Sequence, residues 1–354
     1  MVPSEVPLQL IEPNGTPHYS SAHEMPGADE LMLGYQQMVI ARRLNEQCRT
    51  LAKQGLLRVF PSSDGQEACQ VAAAMALSQE DWMFPSYRDS MAVIGRGVSP
   101  SDAVALFSGR WHSGYDPSAV RVAPLCTPLA THLIHAVGFA WAAKLKDERT
   151  VVLAMCGDGA TSEGDFHEAL NLAGVSNLPV VFLVQNNGFA ISVPVSAQSA
   201  APSLAHKGVG YGMPGRLVDG NDLAAILSTL TSAVKLARDG GGPTLIEART
   251  YRTQPHTESD DDTRYRDKAD VALWTERDPI KRLRAYLIAD GSLNAEVDSR
   301  IVKIAEGEAR NLRESLLGDV HVDLEDLFRH VYSEPTQNLR RQRDRLRDEL
   351  ERTL

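Results

Sequence analysis

Apolar and polar positions along the chain fall into a tail, a set of helical periods and a few short apolar runs. Residues 1–28 hold five prolines (Pro3, Pro7, Pro13, Pro17, Pro26) and no sustained period, so they read as an extended N-terminal arm. From Asp29 the apolar positions Leu31, Tyr35, Met38 and Val39 recur at helical spacing, and the helix is expected to end near Gly55. Ser63-Asp64-Gly65-Gln66 has the form of a capping box opening a helix through Leu77. Phe84 to Asp89 is a loop by its proline. Pro128 suits the first turn of an alanine-rich helix reaching about Lys146. Two apolar runs, Val151–Cys156 and Val180–Val184, flank Phe166, Ala169, Leu170 and Ala173 at i, i+3, i+4, i+7. That order predicts strand, helix, strand, with Asn177-Leu178-Pro179 closing the helix.

Beyond Asn187 the pattern is loop-like to about Ser203. A short strand and turn at Leu217–Gly220, a helix over 222–238 and a strand at Thr244–Ala248 follow. Thr253 to Asp270 is polar and aperiodic, with Asp260, Asp261 and Asp262 together; a loop of that length is usually functional or disordered. The remainder is helical. Its last segment, Asn338–Leu354, carries Arg340/Asp344 and Asp348/Arg352 at i, i+4 spacing, a solvated face. The reading is an α/β chain with an arm over 1–28, a main domain over 29–320 and a C-terminal helical extension over 321–354.

Composition narrows the function classes. The 354 residues are 43% hydrophobic and 23% charged, ordinary for a packed core. A formal net charge of −10 argues against general nucleic-acid binding, which needs a basic patch. Cys48, Cys69, Cys126 and Cys156 are widely spaced, so zinc and dithiol chemistry gain no support and buried free thiols are expected. There is no apolar run of about 18 residues and no basic-then-apolar N-terminus. A soluble cytoplasmic protein is therefore expected, with no membrane contact. Neither G-x-x-x-x-G-K-[ST] nor G-x-G-x-x-G occurs, which speaks against a nucleotide-binding protein.

Candidate chemistry concentrates where the two apolar runs end. Gly157-Asp158-Gly159-Ala160 follows the first, and Gln185-Asn186-Asn187 closes the second. If the strands are parallel, Asp158 and Asn187 emerge at one C-terminal sheet edge, where open α/β sheets bind ligands. Both offer hard oxygens of the kind Mg²⁺ prefers, and the flanking glycines let an anion approach the backbone.

With 28 residues between Asp158 and Asn187, this pair resembles the thiamine-diphosphate motif. The stretch from Gly157 to Val195 narrows the resemblance to the alpha subunit of the decarboxylating component of 2-oxo acid dehydrogenase complexes. Gly65-Gln66-Glu67-Ala68, Tyr87-Arg88-Asp89, Gly220-Asn221-Asp222, and Thr250-Tyr251-Arg252 running on to His256 and Arg264-Tyr265-Arg266, agree with it. The likeness runs from about residue 29 to the C-terminus. It implies a three-layer fold with a mostly parallel sheet flanked by helices, and thiamine diphosphate with Mg²⁺ as cofactors. Asp158 and Asn187 would hold the ion through side-chain oxygens and Phe189 through its carbonyl. Tyr87 and Arg88 would bind the diphosphate, Gly157, Gly159 and Ala160 would offer close backbone, and Gln185 would stand beside it. Leu129 would prop the cofactor rings into a V. His256, on a mobile loop, would be the catalytic residue and help acyl transfer. The potassium site of some relatives is not carried over, because Cys126 and His132 replace its hydroxyl and amide ligands.

The resemblance further implies a beta subunit in an α2β2 heterotetramer, since no second cofactor half is found in this chain, and a lipoylated acyltransferase that receives the acyl group. The substrate would be a small 2-oxo acid, with 3-methyl-2-oxobutanoate favoured over pyruvate on Ser259-Asp260-Asp261 and Ala130-Thr131. A transketolase-like half enzyme is disfavoured by Tyr251-Arg252 and the His256 loop. A non-catalytic Mg²⁺-dependent scaffold is the alternative from another class. His112, His132, His135 and His167 read as structural or surface residues.

Overall fold

The two apolar runs become the centre of a parallel sheet. Strands β1 (Trp82–Phe84), β2 (Val152–Gly157) and β3 (Val180–Asn186) lie side by side. A small antiparallel hairpin, β4 (Phe189–Ala190) and β5 (Val193–Pro194), stands apart from the sheet. Strands β6 (Gly215–Asp219) and β7 (Thr244–Arg249) complete it in the order β1-β2-β3-β7-β6, all five parallel. The computed structural model describes residues 2–21, 23–109, 114–318, 323–329 and 331–352. His112 and the expected boundary at 320/321 lie outside the described residues.

Helices cover both faces, which is why β2 and β3 read as unbroken apolar runs rather than alternating ones. On one face Val152, Ala154, Cys156, Val180, Phe182 and Val184 pack against helix α3 (Thr131–Leu145) and helix α4 (Gly164–Val175). The α4 residues in that core are Phe166, Ala169, Leu170 and Ala173, the positions whose spacing predicts the helix. Each large apolar side chain so buried contributes roughly 1.5–3 kcal/mol. The other face is covered by helix α5 (Leu223–Arg238), which packs on β3, β6, β7 and helix α2 (Glu67–Met75), with helix α1 (Ala28–Lys53) behind α2. Asp222 caps α5 by accepting from Ala225 N at 3.2 Å.

The N-terminal arm is stitched to the sheet edge. Leu8 N donates to Leu217 O and Asp219 N to Leu8 O, both at 3.0 Å, and the amides of Leu10 and Ile11 donate to Asp222 Oδ2 at 2.7 and 2.8 Å. Strand β6 is thereby covered on its free side.

Several local expectations are corrected. The capping box at Ser63 does not form. Asp64 is drawn into an ion pair with Arg49 at 2.9 Å, Gly65 turns at φ +95°, and α2 starts only at Glu67 without a side-chain cap. A Cβ at Gly65 would lie 2.4 Å from Tyr251 O, so the turn requires glycine. Pro128 sits in a bend before α3 rather than in its first turn, which begins at Thr131 after left-handed Ala130 (φ +63°). The stretch after Asn187 is not plain loop but carries the β4–β5 hairpin and a helical turn at Val195–Gln198.

Residues Met1–Arg313 form one compact unit and Glu314–Leu354 a second. In the second, helix Gln337–Glu351 is capped by Thr336 and pairs Arg345 with Glu349 and Arg343 with Asp344. Asp344 is therefore taken by its immediate neighbour instead of Arg340, four positions back. No helix among the described residues is long and apolar enough to cross a membrane. Cys48, Cys69 and Cys156 are buried free thiols; Cys126 is half-buried and its Sγ–H donates to Pro128 O at 3.3 Å.

Candidate active site

A parallel sheet delivers the loops that leave its strands to one edge, and here four of them meet. The loop after β1 brings Tyr87, Arg88 and Asp89. The turn after β2 brings Asp158, the segment after β3 brings Asn187 and Phe189, and the chain after β7 brings Arg252 and His256. The β2–β3 register pairs Gly157 with Gln185, so Asp158 and Asn187 follow from adjacent strand ends. Together they surround a cavity of about 440 Å³ that all the candidate residues line: Tyr87, Arg88, Leu129, Gly157, Asp158, Gly159, Ala160, Gln185, Asn187, Phe189 and His256.

Asp158 is 1% exposed. Its Oδ1 accepts from Asn187 N at 3.3 Å and its Oδ2 from Gln198 Nε2 at 2.8 Å. Burial pushes the carboxyl above its ordinary value, and the Gln198 and backbone donors pull the other way. Asn187 Oδ1 accepts from Phe189 N at 3.3 Å, while its Nδ2 donates to Gln66 Oε1 at 3.2 Å. Gly159 is required by close approach: a Cβ there would stand 2.8 Å from the Ala190 Cβ. The Phe189 ring packs on Tyr251 and Tyr265, at 6.1 and 5.6 Å between centroids. Leu129 remains 41% exposed at the cavity wall. His132 is committed elsewhere, its Nε2 lying 2.7 Å from Met155 O. Among the described residues no three His, Cys, Asp or Glu side chains group as a metal site, so any ion here would rest on Asp158 and neutral oxygens.

Part of the cavity wall is cationic. Arg88 and Arg252 are both buried, at 6% and 1% exposure. Arg88 donates to Ser62 O at 2.6 Å and to His256 O, and its Nη2 meets His256 Nδ1 at 3.0 Å. Arg252 donates to Ile191 O at 2.7 Å and Tyr265 Oη at 3.0 Å, and its Nη1 lies 3.3 Å from His256 Nδ1. All these acceptors are neutral, and among the described residues neither guanidinium makes an ion pair. Asp89 acts on Arg88, and Asp158 and Asp260 on Arg252, only from beyond ion-pair distance, so both buried cations keep a desolvation cost of several kcal/mol that is only partly offset. An anion in the cavity would offset it. Burial and the neighbouring Arg252 already lower the Arg88 pKa.

Guanidiniums only donate, so His256 Nδ1 must accept and the ring proton sits on Nε2. Burial and the two arginines push the His256 pKa down to about 4, so the ring is neutral near pH 7. The loop is tied back by His256 N donating to Asp260 Oδ2 at 2.8 Å; Tyr265 Oη also donates to Asp260. A histidine at about 4 in the folded chain and 6.5 unfolded leaves stability intact above pH 6.5. Stability is withdrawn as pH falls toward 4, because the unfolded chain takes up the proton first. The thermal midpoint of the wild-type chain is expected to drop more steeply across that window than that of His256→Gln. Scanning calorimetry checks this, and parallel slopes would exclude a role for His256 in the pH dependence.

Four contributors had no site role in the sequence reading. Gln66, Asp89 and Arg252 lie within motifs that were recognised, and only the folded chain brings them to the cavity. Gln198, which holds Asp158, sits in a segment read as loop and left no signal. His135 is exposed, and His167 Nδ1 meets Tyr211 Oη.

Similarity to known proteins agrees with this geometry. Residues 35–311 match the dehydrogenase E1 component family. The chain is 44% identical over 348 residues to 3-methyl-2-oxobutanoate dehydrogenase subunit alpha of Mycobacterium tuberculosis, covering 98% of this chain and 95% of that one. It is 35% identical over 315 residues to a pyruvate dehydrogenase E1 component subunit alpha of Staphylococcus epidermidis, covering 89% and 85%. The corresponding Staphylococcus aureus subunit is 33% identical over 336 residues, covering 95% and 91%. A chain matched over most of its length, with its loops converging on one sheet edge, belongs to the dehydrogenase E1 component family, on the side of the alpha subunits.

Proposed function

We propose that this chain is the alpha subunit of a branched-chain 2-oxo acid dehydrogenase and holds thiamine diphosphate with Mg²⁺ in the cavity at the sheet edge. The observation that carries the proposal is the pair of buried guanidiniums, Arg88 and Arg252, which make no direct ion pair among the described residues and line the same cavity as Asp158 and Asn187. That donor set suits a diphosphate bridged to a hard cation: planar forks for phosphate oxygens, one carboxylate and neutral oxygens for the ion. Asp158, Asn187 and the Phe189 carbonyl would hold Mg²⁺. Arg88, Arg252 and Tyr87 would bind the diphosphate, with Gly157, Gly159, Ala160 and Gln185 close by. Leu129 would support the cofactor rings.

Thiamine diphosphate, when bound, supplies the carbanion-stabilising chemistry by which a 2-oxo acid loses CO₂. The protein's part is orientation, exclusion of water and proton placement. Neutral His256 keeps a proton on Nε2 to donate toward a developing oxygen and to assist acyl transfer to a lipoyl group. His256→Ala is expected to leave cofactor affinity nearly unchanged and to lower acyl transfer by about 10²–10⁴-fold, the usual range for one acid–base group. Stopped-flow transfer to a lipoyl acceptor measures it; an undiminished rate would remove His256 from the mechanism.

A carboxylate facing the aminopyrimidine is also required. Among the described residues Asp89 and Asp158 are the carboxylates lining the cavity, and both already accept from internal donors. A second chain should therefore provide it, which supports a beta subunit in an α2β2 assembly, working with a lipoylated acyltransferase. Greater identity to the 3-methyl-2-oxobutanoate subunit than to the pyruvate subunits favours the branched-chain substrate. The test is to co-purify the chain with its beta subunit, titrate thiamine diphosphate, ATP and NAD by calorimetry, and assay decarboxylation. Mg²⁺-dependent binding of thiamine diphosphate alone, with faster turnover of 3-methyl-2-oxobutanoate than pyruvate, is expected. Preference for pyruvate would overturn the substrate, and absence of cofactor binding the whole reading.

A further inference from the structure

We propose that Asp89 is a positioning residue: it fixes which atom of Asn187 faces the ion, through a directed run of side-chain amides. This rests on the reading of Asn187 as a metal ligand. Four side chains from three segments meet end to end. Gln185 Nε2 donates to Asp89 Oδ1 at 2.7 Å, Gln66 Nε2 donates to Gln185 Oε1 at 3.0 Å, and Asn187 Nδ2 donates to Gln66 Oε1 at 3.2 Å. All four are buried.

A carboxamide has a donor end and an acceptor end, whereas a carboxyl whose two oxygens both already meet N–H donors can only accept. Asp89 is anchored as an acceptor by Ser86 N at 2.8 Å on Oδ2 and by Gln70 Nε2 at 3.4 Å on Oδ1. It therefore compels Gln185 to present its nitrogen, which turns the Gln185 oxygen toward Gln66. Gln66 must answer with nitrogen and offers its oxygen to Asn187. Asn187 spends its nitrogen there, and Oδ1 is the atom left over. Reversing any link would turn an amide nitrogen, which Mg²⁺ does not accept as a ligand, toward the ion. The Asn187 Oδ1 contact with Phe189 N has the same polarity but is long, at 3.3 Å, so the buried run is the stronger determinant.

The polarity makes a rescue available. Asp89→Asn keeps the shape but lets the far end of the run donate. Adding Gln66→Glu moves the obligate acceptor next to Asn187. In that double variant the new amide at position 89 would donate to Gln185, Gln185 would donate to the new carboxylate at position 66, and Asn187 would donate to that same carboxylate. The experiment uses the chain assembled with its beta subunit and measures by calorimetry the Mg²⁺ concentration that half-saturates thiamine diphosphate retention. Asp89→Asn should raise it about 10-fold or more, the scale on which partners of metal ligands act. Gln66→Glu should bring the double variant back toward wild type. Gln66→Met, which removes the acceptor from Asn187 without touching Asp89, should raise it similarly and serves if Asp89→Asn does not fold. An unchanged Mg²⁺ requirement in the folded single variants, or a double variant no better than Asp89→Asn, overturns the proposal. A merely structural role for Asp89 would lower the thermal midpoint without that rescue. Wild-type retention of the cofactor without Mg²⁺ would instead overturn the metal assignment beneath it.

Discussion

Asp158→Ala is expected to abolish Mg²⁺-dependent retention of thiamine diphosphate. Asp158 is the single carboxylate in the proposed ligand set, and it is already stripped of water at 1% exposure. Even outer partners of metal ligands cost about 10–100-fold in affinity when removed, so loss of the charged ligand should exceed roughly 100-fold. The substitution has a second effect. Gln198 Nε2 and Asn187 N lose their acceptor, and each orphaned donor costs about 1–3 kcal/mol if it stays buried. Asp158→Asn separates the two effects, since it keeps an oxygen for one donor and removes the charge. Calorimetric titration with and without Mg²⁺ decides the matter. Retention of the cofactor by a folded Asp158→Asn chain at wild-type Mg²⁺ levels would dismiss the proposed ion site.

Arg88→Met is expected to act with opposite signs on binding and on the empty protein. A charge-assisted hydrogen bond contributes about 1.5–3 kcal/mol, so affinity for thiamine diphosphate should fall by roughly 10–150-fold. The unliganded chain, by contrast, loses a buried cation whose partners are all neutral. Replacing such a charge by an apolar chain of similar length is often neutral or stabilising. The thermal midpoint without cofactor should hold or rise, while the increase on adding cofactor shrinks. His256 should also titrate closer to its ordinary value, because one of the two cations depressing it is gone. A variant that is less stable alone yet binds normally would mean that Arg88 is structural.

What could be read from the sequence follows what is local. Strands β2 and β3 and helix α4 lie where periodicity put them, because a strand buried on both faces and a helix on one face leave different signatures over a few residues. Strand β1, three residues long, left too little pattern. Ser63 failed as a cap because Gly65 turns at φ +95°, so the helix starts only beyond it, at Glu67. That Asp158, Asn187 and His256 would share one cavity was legible through their motifs. Arg252 stood in a recognised triplet with no role, because its meaning depends on Arg88, which arrives from the other end of the sheet order. Gln198 could not be found at all: a glutamine in an aperiodic stretch declares nothing until the backbone turns it onto Asp158.

The position of β7 governs when the site can exist during synthesis. This late strand slots between β3 and β6, both of which leave the ribosome before it. A nascent chain that stops short of Thr244 therefore has two unpaired strand edges in mid-sheet, and neither Arg252 nor His256 has emerged. Until β7 arrives, those two edges are open to pairing by other strands, the kind of exposure that favours misassembly.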